Sequence, residues 1–271
     1  VDLRFTKMHG LGNDFIVIED LRAEIDLDPE AAVWLCDRNF GVGADGVILV
    51  RPAAGEDADF SWVFFNADGT QPESCGNGIR CFARFVSDEG LVPAGRDTLT
   101  IETLGGPRSV SIVREPTGVF AAATVDMGEP VPGDPLESDV AGTRVTSVSM
   151  GNPHAVIFVD DVDTAPVETV GPVVETDPAF PRRTNVEFAH VVSSDRIRLR
   201  VWERGVGETL ACGTGACAAL VAAALAGLTG REATIELPGG DLVVRWGDDG
   251  HVLMTGPATT VFEGLVTVEE E

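Results

Sequence analysis

Ser74-Cys75-Gly76-Asn77-Gly78-Ile79-Arg80-Cys81 is nearly repeated as Ala211-Cys212-Gly213-Thr214-Gly215-Ala216-Cys217. In each, a Cys precedes Gly-polar-Gly and then an apolar run long enough for a helix. That order predicts a thiol at the mouth of a helix, where free backbone N–H groups and the positive end of the dipole favour an anion. The same setting makes a thiol reactive. Two such mouths in one chain imply a chemistry that needs two thiols.

Other landmarks share the repeat. Cys75 and Cys212 lie 137 residues apart, and so do Pro29 and Pro166, and Asn66 and Glu203. Gly12-Asn13 followed by an apolar run to Asp20 matches Gly151-Asn152 followed by Val156 to Asp161. The register predicts a duplicated α+β half rather than a solenoid, because the period is domain-sized. Asp28 and Pro29 open a helix as N-cap and first residue, with Gly41 as its stop. His9 to Asp14 reads as a turn-rich loop. The run after Cys212 (Ala216 to Leu225) is apolar nearly all round, which predicts a helix buried on every side with short strands wrapped around it. The expected fold is α+β: two pseudo-symmetric domains, each a curled, mostly antiparallel sheet around a central helix, with the active site in the cleft between them. The expected boundaries are 1–118 plus 258–271 for one half and 119–257 for the other.

Composition narrows the classes. At 271 residues and 44% hydrophobic, the chain can build a sizeable core. Its 44 Asp and Glu against 19 Lys and Arg give a formal charge of −25, which argues against nucleic acid or anionic membrane as a partner. Lys7 is its only lysine. The surplus of acid fits a protein adapted to high salt, where counter-ions screen a carboxylate-covered surface. No apolar run approaches membrane-spanning length and no secretory pattern opens the chain, so the expectation is a soluble cytoplasmic protein. Five cysteines, an odd number with no C-x-x-C, argue against a disulfide framework, a zinc site or a thioredoxin motif. Cys36, Cys81 and Cys217 read as core residues, and Glu269-Glu270-Glu271 as a solvated tail.

One thiolate and one thiol on opposite sides of a stereocentre can remove a proton from one face and return one to the other. The helix mouths would stabilise an adjacent carboxylate as it gains charge. No metal cluster, pyridoxal lysine or dinucleotide loop competes with this reading.

SCGNGIRC and ACGTGAC, together with GNDF, FNADG, MGNPH, TNVEF and WERGVGETLACGTG, resemble the diaminopimelate epimerase family from about Phe5 to Phe262. The resemblance implies interconversion of LL- and meso-diaminopimelate, without a cofactor, in lysine biosynthesis, by a homodimer acting on this small molecule. It implies that Cys75 and Cys212 are the acid/base pair. It further implies that Gly76, Asn77, Gly213 and Thr214 offer N–H groups to the carboxylate at the reacting carbon. Glu203 and the Arg204 carbonyl would hold the reacting amine. Asn13, Asn66, Asn152, Asn185 and the Arg204 side chain would grip the other end, with His154 and Glu203 helping to set thiol protonation. Two departures stand out. Gly46 aligns where some relatives place a Gln beside the substrate, and Phe262 stands where a Tyr often lies at a dimer contact. Two alternatives stay open on the residues: a proline racemase-like enzyme and a thiol redox sensor.

Overall fold

The computed structural model describes residues 2–72, 75–93, 95–140 and 142–268. Ser74 of the opening motif and the Glu269–Glu271 tail lie outside the described residues. The chain divides into two units, Val1–Val125 with Gly256–Glu271, and Asp126–Thr255.

In chain order the first unit contains β1 (Asp2–Gly10), β2 (Asn13–Glu19), α1 (Pro29–Cys36), β3 (Gly46–Pro52) and β4 (Phe60–Asn66). It continues with α2 (Gly76–Asp88), β5 (Thr98–Thr103), β6 (Gly106–Arg114) and β7 (Phe120–Asp126). The second contains β8 (Val131–Val140), β9 (Thr143–Ser149), β10 (Pro153–Phe158), α3 (Val167–Glu175), β11 (Asn185–Ser193) and β12 (Arg196–Glu203). There follow β13 (Gly207–Thr209), α4 (Gly213–Leu225), β14 (Glu232–Leu237), β15 (Gly240–Trp246) and β16 (Val252–Gly256). The chain then returns to the first unit as β17 (Thr259–Thr267).

The pairings repeat strand for strand. In the first unit β1–β2 is antiparallel, β2–β3 parallel, β3–β4 antiparallel, β4–β5 parallel, and β5–β6 and β6–β7 antiparallel. In the second, β9–β10 is antiparallel, β10–β11 parallel, β11–β12 antiparallel, β12–β14 parallel, and β14–β15 and β15–β16 antiparallel. The parallel joints fall where a helix supplies the crossover, as parallel pairing requires. β17 flanks β1 as β8 flanks β9, both antiparallel.

β2 and β3 are buried on both faces, which explains their nearly unbroken apolar sequences. Alternation sorts their side chains. Ile16, Ile18, Val47 and Leu49 join the cluster around Ala32 and Leu35 of α1. Ile48 points the other way, to Gly78 of α2. In the second unit Ala155, Ile157, Val186 and Phe188 pack with Val167 and Val174 of α3. The opposite face meets α4, which is buried from Gly215 to Ala223.

Some elements differ from the sequence reading. The 9–14 loop contracts to a two-residue hairpin turn, with Leu11 (φ 57°) and Gly12 (φ 88°) both left-handed, the geometry that matches strand twist. Helix α1 ends at Cys36, before Gly41. Asp37 turns to extended backbone and its carboxylate takes the N–H groups of Asn39 (2.7 Å) and Phe40 (2.8 Å), in competition with the helix. β7 remains with the first unit because it pairs with β6 from Val110 to Arg114, so the units change over at Val125/Asp126 rather than near 118. They change back at Thr255/Gly256 rather than after 257.

Candidate active site

Cys75 is the N-cap of α2. Its backbone is extended (φ −147°, ψ 109°) and its sulfur accepts the N–H of Gly78 at 3.4 Å. The thiol also donates to Asn13 Oδ1 at 3.9 Å. Around it runs an ordered amide chain. Arg80 Nη2 donates to Asn77 Oδ1 (2.9 Å), Asn77 Nδ2 to Asn13 Oδ1 (3.1 Å), and Asn13 Nδ2 to Asp45 Oδ2 (2.8 Å). Arg80 is fully buried and is also tied to the Pro257 carbonyl. Asp45 accepts from Arg38 at 2.9 Å, and Arg38 forks onto Asp14 at 2.7 and 3.1 Å. Lys7 meets Asp14 at 2.6 Å and reaches the Gly43 carbonyl. Burial pushes the Asp14 carboxyl up, but Arg38 and Lys7 outweigh it and hold the group at about 2. Asn66, at the end of β4, donates to Thr70 Oγ1 at 3.0 Å.

Cys212 is the N-cap of α4 in nearly the same conformation (φ −121°, ψ 110°), and accepts the N–H of Gly215 at 3.4 Å. Its surroundings differ. The sulfur lies 3.5 Å from Thr214 Oγ1, and Asn152 Nδ2 donates to that same oxygen at 3.3 Å. Asn152 Oδ1 lies 3.0 Å from His154 Nε2, and His154 Nδ1 lies 2.7 Å from Glu187 Oε1. The side chains of His154 and Glu187 are both 0% exposed. Burial pushes the Cys212 thiol well above its ordinary value, and the charges of Glu203 and Glu187 push the same way. The Thr214 hydroxyl and the Gly215 N–H oppose them.

Glu203 and Arg204 sit at the end of β12. Glu203 Oε1 accepts from Thr209 at 2.5 Å. The Arg204 N–H donates to Asn185 Oδ1 at 2.9 Å, and its guanidinium to the Arg182 carbonyl at 3.1 Å. Asn185 Nδ2 in turn donates to the Pro153 carbonyl at 3.2 Å. Within this unit the structure therefore gathers Asn152, His154, Cys212 and Thr214 in one network, and Asn185 with Arg204 in another.

Cys36, Cys81 and Cys217 are buried. Burial raises Cys36 to about 11 and Cys81 to about 12, so both are protonated and unreactive at neutral pH. Among the described residues no cluster of His, Cys, Asp and Glu has the arrangement to hold a metal ion. No helix there is long and apolar enough to cross a membrane.

Three buried charged residues escaped the sequence reading. Arg80 holds Asn77. Glu175 accepts from the Gly205 N–H (2.9 Å) and Trp202 Nε1 (2.8 Å), and so fixes the turn that carries Glu203 and Arg204. Glu187 holds His154. The available signal was an acid inside the otherwise apolar Val186-Glu187-Phe188, in a strand buried on both faces.

The architecture recurs in solved structures. A phenazine biosynthesis protein of the PhzF family from Bacillus anthracis superposes with a TM-score of 0.76 at 17% identity, covering 99% of this chain and 100% of that one. A hydroxyproline epimerase from Agrobacterium vitis superposes with a TM-score of 0.72 at 16% identity, covering 99% and 93%. These likenesses define the class of fold: an α+β protein of two similar halves. The sequence then fixes the family. Residues 5–132 and 146–261 match diaminopimelate epimerase, and the chain belongs to that family. Curated relatives bearing that name are 51% identical in Alkalilimnicola ehrlichii, over 98% of this chain and 99% of the relative. In Pelotomaculum thermopropionicum the figure is 49%, over 97% and 98%.

Proposed function

We propose that this chain is a cofactor-independent isomerase that interconverts LL- and meso-2,6-diaminopimelate in lysine biosynthesis. The observation that carries the reading is the pair of Cys-capped helices in a member of this family, each sulfur 3.4 Å from a glycine N–H of its own helix. In the reaction one thiolate takes the α-proton and becomes a thiol. The electron pair left on carbon is delocalised into the α-carboxylate, held by first-turn N–H groups at Gly76, Asn77, Gly213 and Thr214. The second thiol then gives its proton to the opposite face and becomes a thiolate. One C–H bond breaks and one forms, with no net redox change. Each thiol serves as base in one direction and as acid in the other, so the reverse reaction exchanges the roles.

Glu203 and the Arg204 carbonyl receive the reacting ammonium. Asn13, Asn66, Asn152, Asn185 and the Arg204 guanidinium read the other amino-acid end, where amides and an Arg fork offer both donors and acceptors. His154 acts from behind Asn152. The proline racemase-like and redox-sensor readings fall behind, because relatives near 50% identity span the whole chain under one name.

The test is turnover of LL-diaminopimelate in deuterated water, with L-proline as a parallel substrate. Deuterium should enter at the α-carbon of diaminopimelate alone. Turnover of proline in its place, or product without deuterium, refutes the reading.

The working form is a cytoplasmic homodimer. Val261, Phe262 and Leu265 are exposed apolar residues of β17, with Phe262 edge-on to Phe5 at 5.8 Å. Phe262→Asp should halve the mass seen by light scattering. The −25 charge belongs to a salt-adapted protein. Molar KCl should raise its unfolding midpoint, and no rise would exclude that adaptation.

A further inference from the structure

The repeat assigns a role to Glu187. Strand β10 pairs with β11 at His154↔Asn185, just as β2 pairs with β3 at Phe15↔Gly46. Phe15 therefore corresponds to His154 and Ile48 to Glu187. Both units place this second residue against the first turn of their central helix. A Cβ on Gly78 would lie 3.3 Å from Ile48 Cδ1, and a Cβ on Gly215 would lie 2.8 Å from Glu187 Oε1. The fold is thus satisfied by an apolar pair at these two positions. The second unit carries a fully buried acid and imidazole there, and Glu187 Oε2 finds no hydrogen-bond partner. A buried polar group that the fold does not require calls for a functional reason.

The hydrogen-bond directions supply it. Asn152 gives an N–H to Thr214, so its Oδ1 is free to accept and His154 Nε2 must donate. With Nε2 donating to Asn152, Nδ1 can face the carboxyl group of Glu187 in two ways. Either the carboxylate accepts from an imidazolium, or the acid donates to a neutral ring. With its oxygen accepting from Asn152, Thr214 has its own hydrogen available for the Cys212 sulfur 3.5 Å away.

We propose that Glu187 is a positioning residue for Cys212: it anchors a donor chain, His154 to Asn152 to Thr214, that turns a hydroxyl hydrogen onto the sulfur and supports its thiolate form. The proposal rests on Cys212 being a working thiol. Its alkylation and resonance readouts need no substrate, so they test it separately from the choice of diaminopimelate.

The test transplants the sister unit's pair, His154→Phe with Glu187→Ile, into a Cys75→Ser protein, and follows iodoacetamide alkylation of Cys212 by peptide mass against pH. The apolar pair keeps the fold, as in the first unit, but frees the Asn152 amide to turn. Losing the Glu187 charge lowers the alkylation midpoint and losing the oriented Thr214 hydroxyl raises it; the hydroxyl should win, with a net rise of about one unit, and kcat in the Cys75 protein should fall roughly tenfold. Glu187→Gln, which can still bond Nδ1, should move the midpoint less than the double variant does. In the double variant, adding Thr214→Val should change nothing further. A folded double variant with unchanged midpoint and kcat overturns the proposal. Independently of folding, 15N resonances of the unsubstituted protein should show His154 Nε2 protonated at neutral pH, and a bare Nε2 overturns it equally.

Discussion

The two helix mouths share a backbone but not an environment. α2 and α4 are each 13 residues long, each is capped by a cysteine in extended conformation, and each places a glycine N–H 3.4 Å from the sulfur. Around that common frame the donor chains run in opposite directions. In the first unit donors run from helix to sheet: Arg80 to Asn77, then to Asn13, then to Asp45. Cys75 consequently meets an amide oxygen. In the second they run from sheet to helix, and Cys212 meets a hydroxyl. Duplication supplied two equivalent thiol positions. Divergence of the residues behind them gave the two sulfurs different hydrogen-bond partners.

Removing either thiol breaks the comparison most severely. Cys75→Ala or Cys212→Ala should lower kcat by about 1,000-fold or more, since general acid–base groups contribute on the order of 100- to 10,000-fold each. Circular dichroism should be unchanged, and full turnover in either variant would refute the two-thiol mechanism.

Arg80 tests the first unit's chain alone. Arg80→Leu leaves the Pro257 carbonyl and Asn77 Oδ1 without their buried donor, at a cost of about 3 kcal/mol. Urea unfolding reads this directly, and a loss under 1 kcal/mol would mean that the chain relaxes around the gap.

A smaller effect separates the thiols themselves. The thiolate is the species that alkylates, and Cys212 is pushed well above the ordinary thiol range. At pH 7 the half-buried Cys75 should therefore label faster than the buried Cys212. Equal rates by peptide mass would show that burial does not differentiate them.

The smallest effect concerns the ionic base of the first chain. Asp14 is held at about 2, below its ordinary 3.8. Its stabilising contribution is therefore complete above 3.8 and is lost as pH falls from there through about 2. Asp14→Asn should cost about 1–2 kcal/mol at pH 7 and should flatten the decline in stability between pH 4 and pH 2. An unaltered acid limb would remove Lys7 and Arg38 from the account.

Much of the fold was readable because local rules and the repeat agree. Asp28 and Pro29 start α1, with Asp28 accepting the Ala31 N–H at 2.7 Å. α4 is buried from Gly215 to Ala223, as an all-apolar run must be. β8 was not read, because Pro132, Gly133 and Pro135 interrupt its alternation, and its register shifts between Pro132 and Glu137. β13 is only three residues long, too short to show a period. β7 carries no local mark of the unit it joins.

The sequence by itself determined the duplicated frame, the two Cys-capped helices and the family, because these rest on residue order, spacing and local capping. Only the tertiary structure decided what stands behind each sulfur. Asp45, His154 and Glu187 are brought behind the sulfurs by strand pairing and by the face each strand turns to its helix, and Arg80 by burial of the α2 face that carries Asn77. A carboxylate facing solvent and one sealed against a helix are written with the same letter, and burial alone gives the second its chemistry.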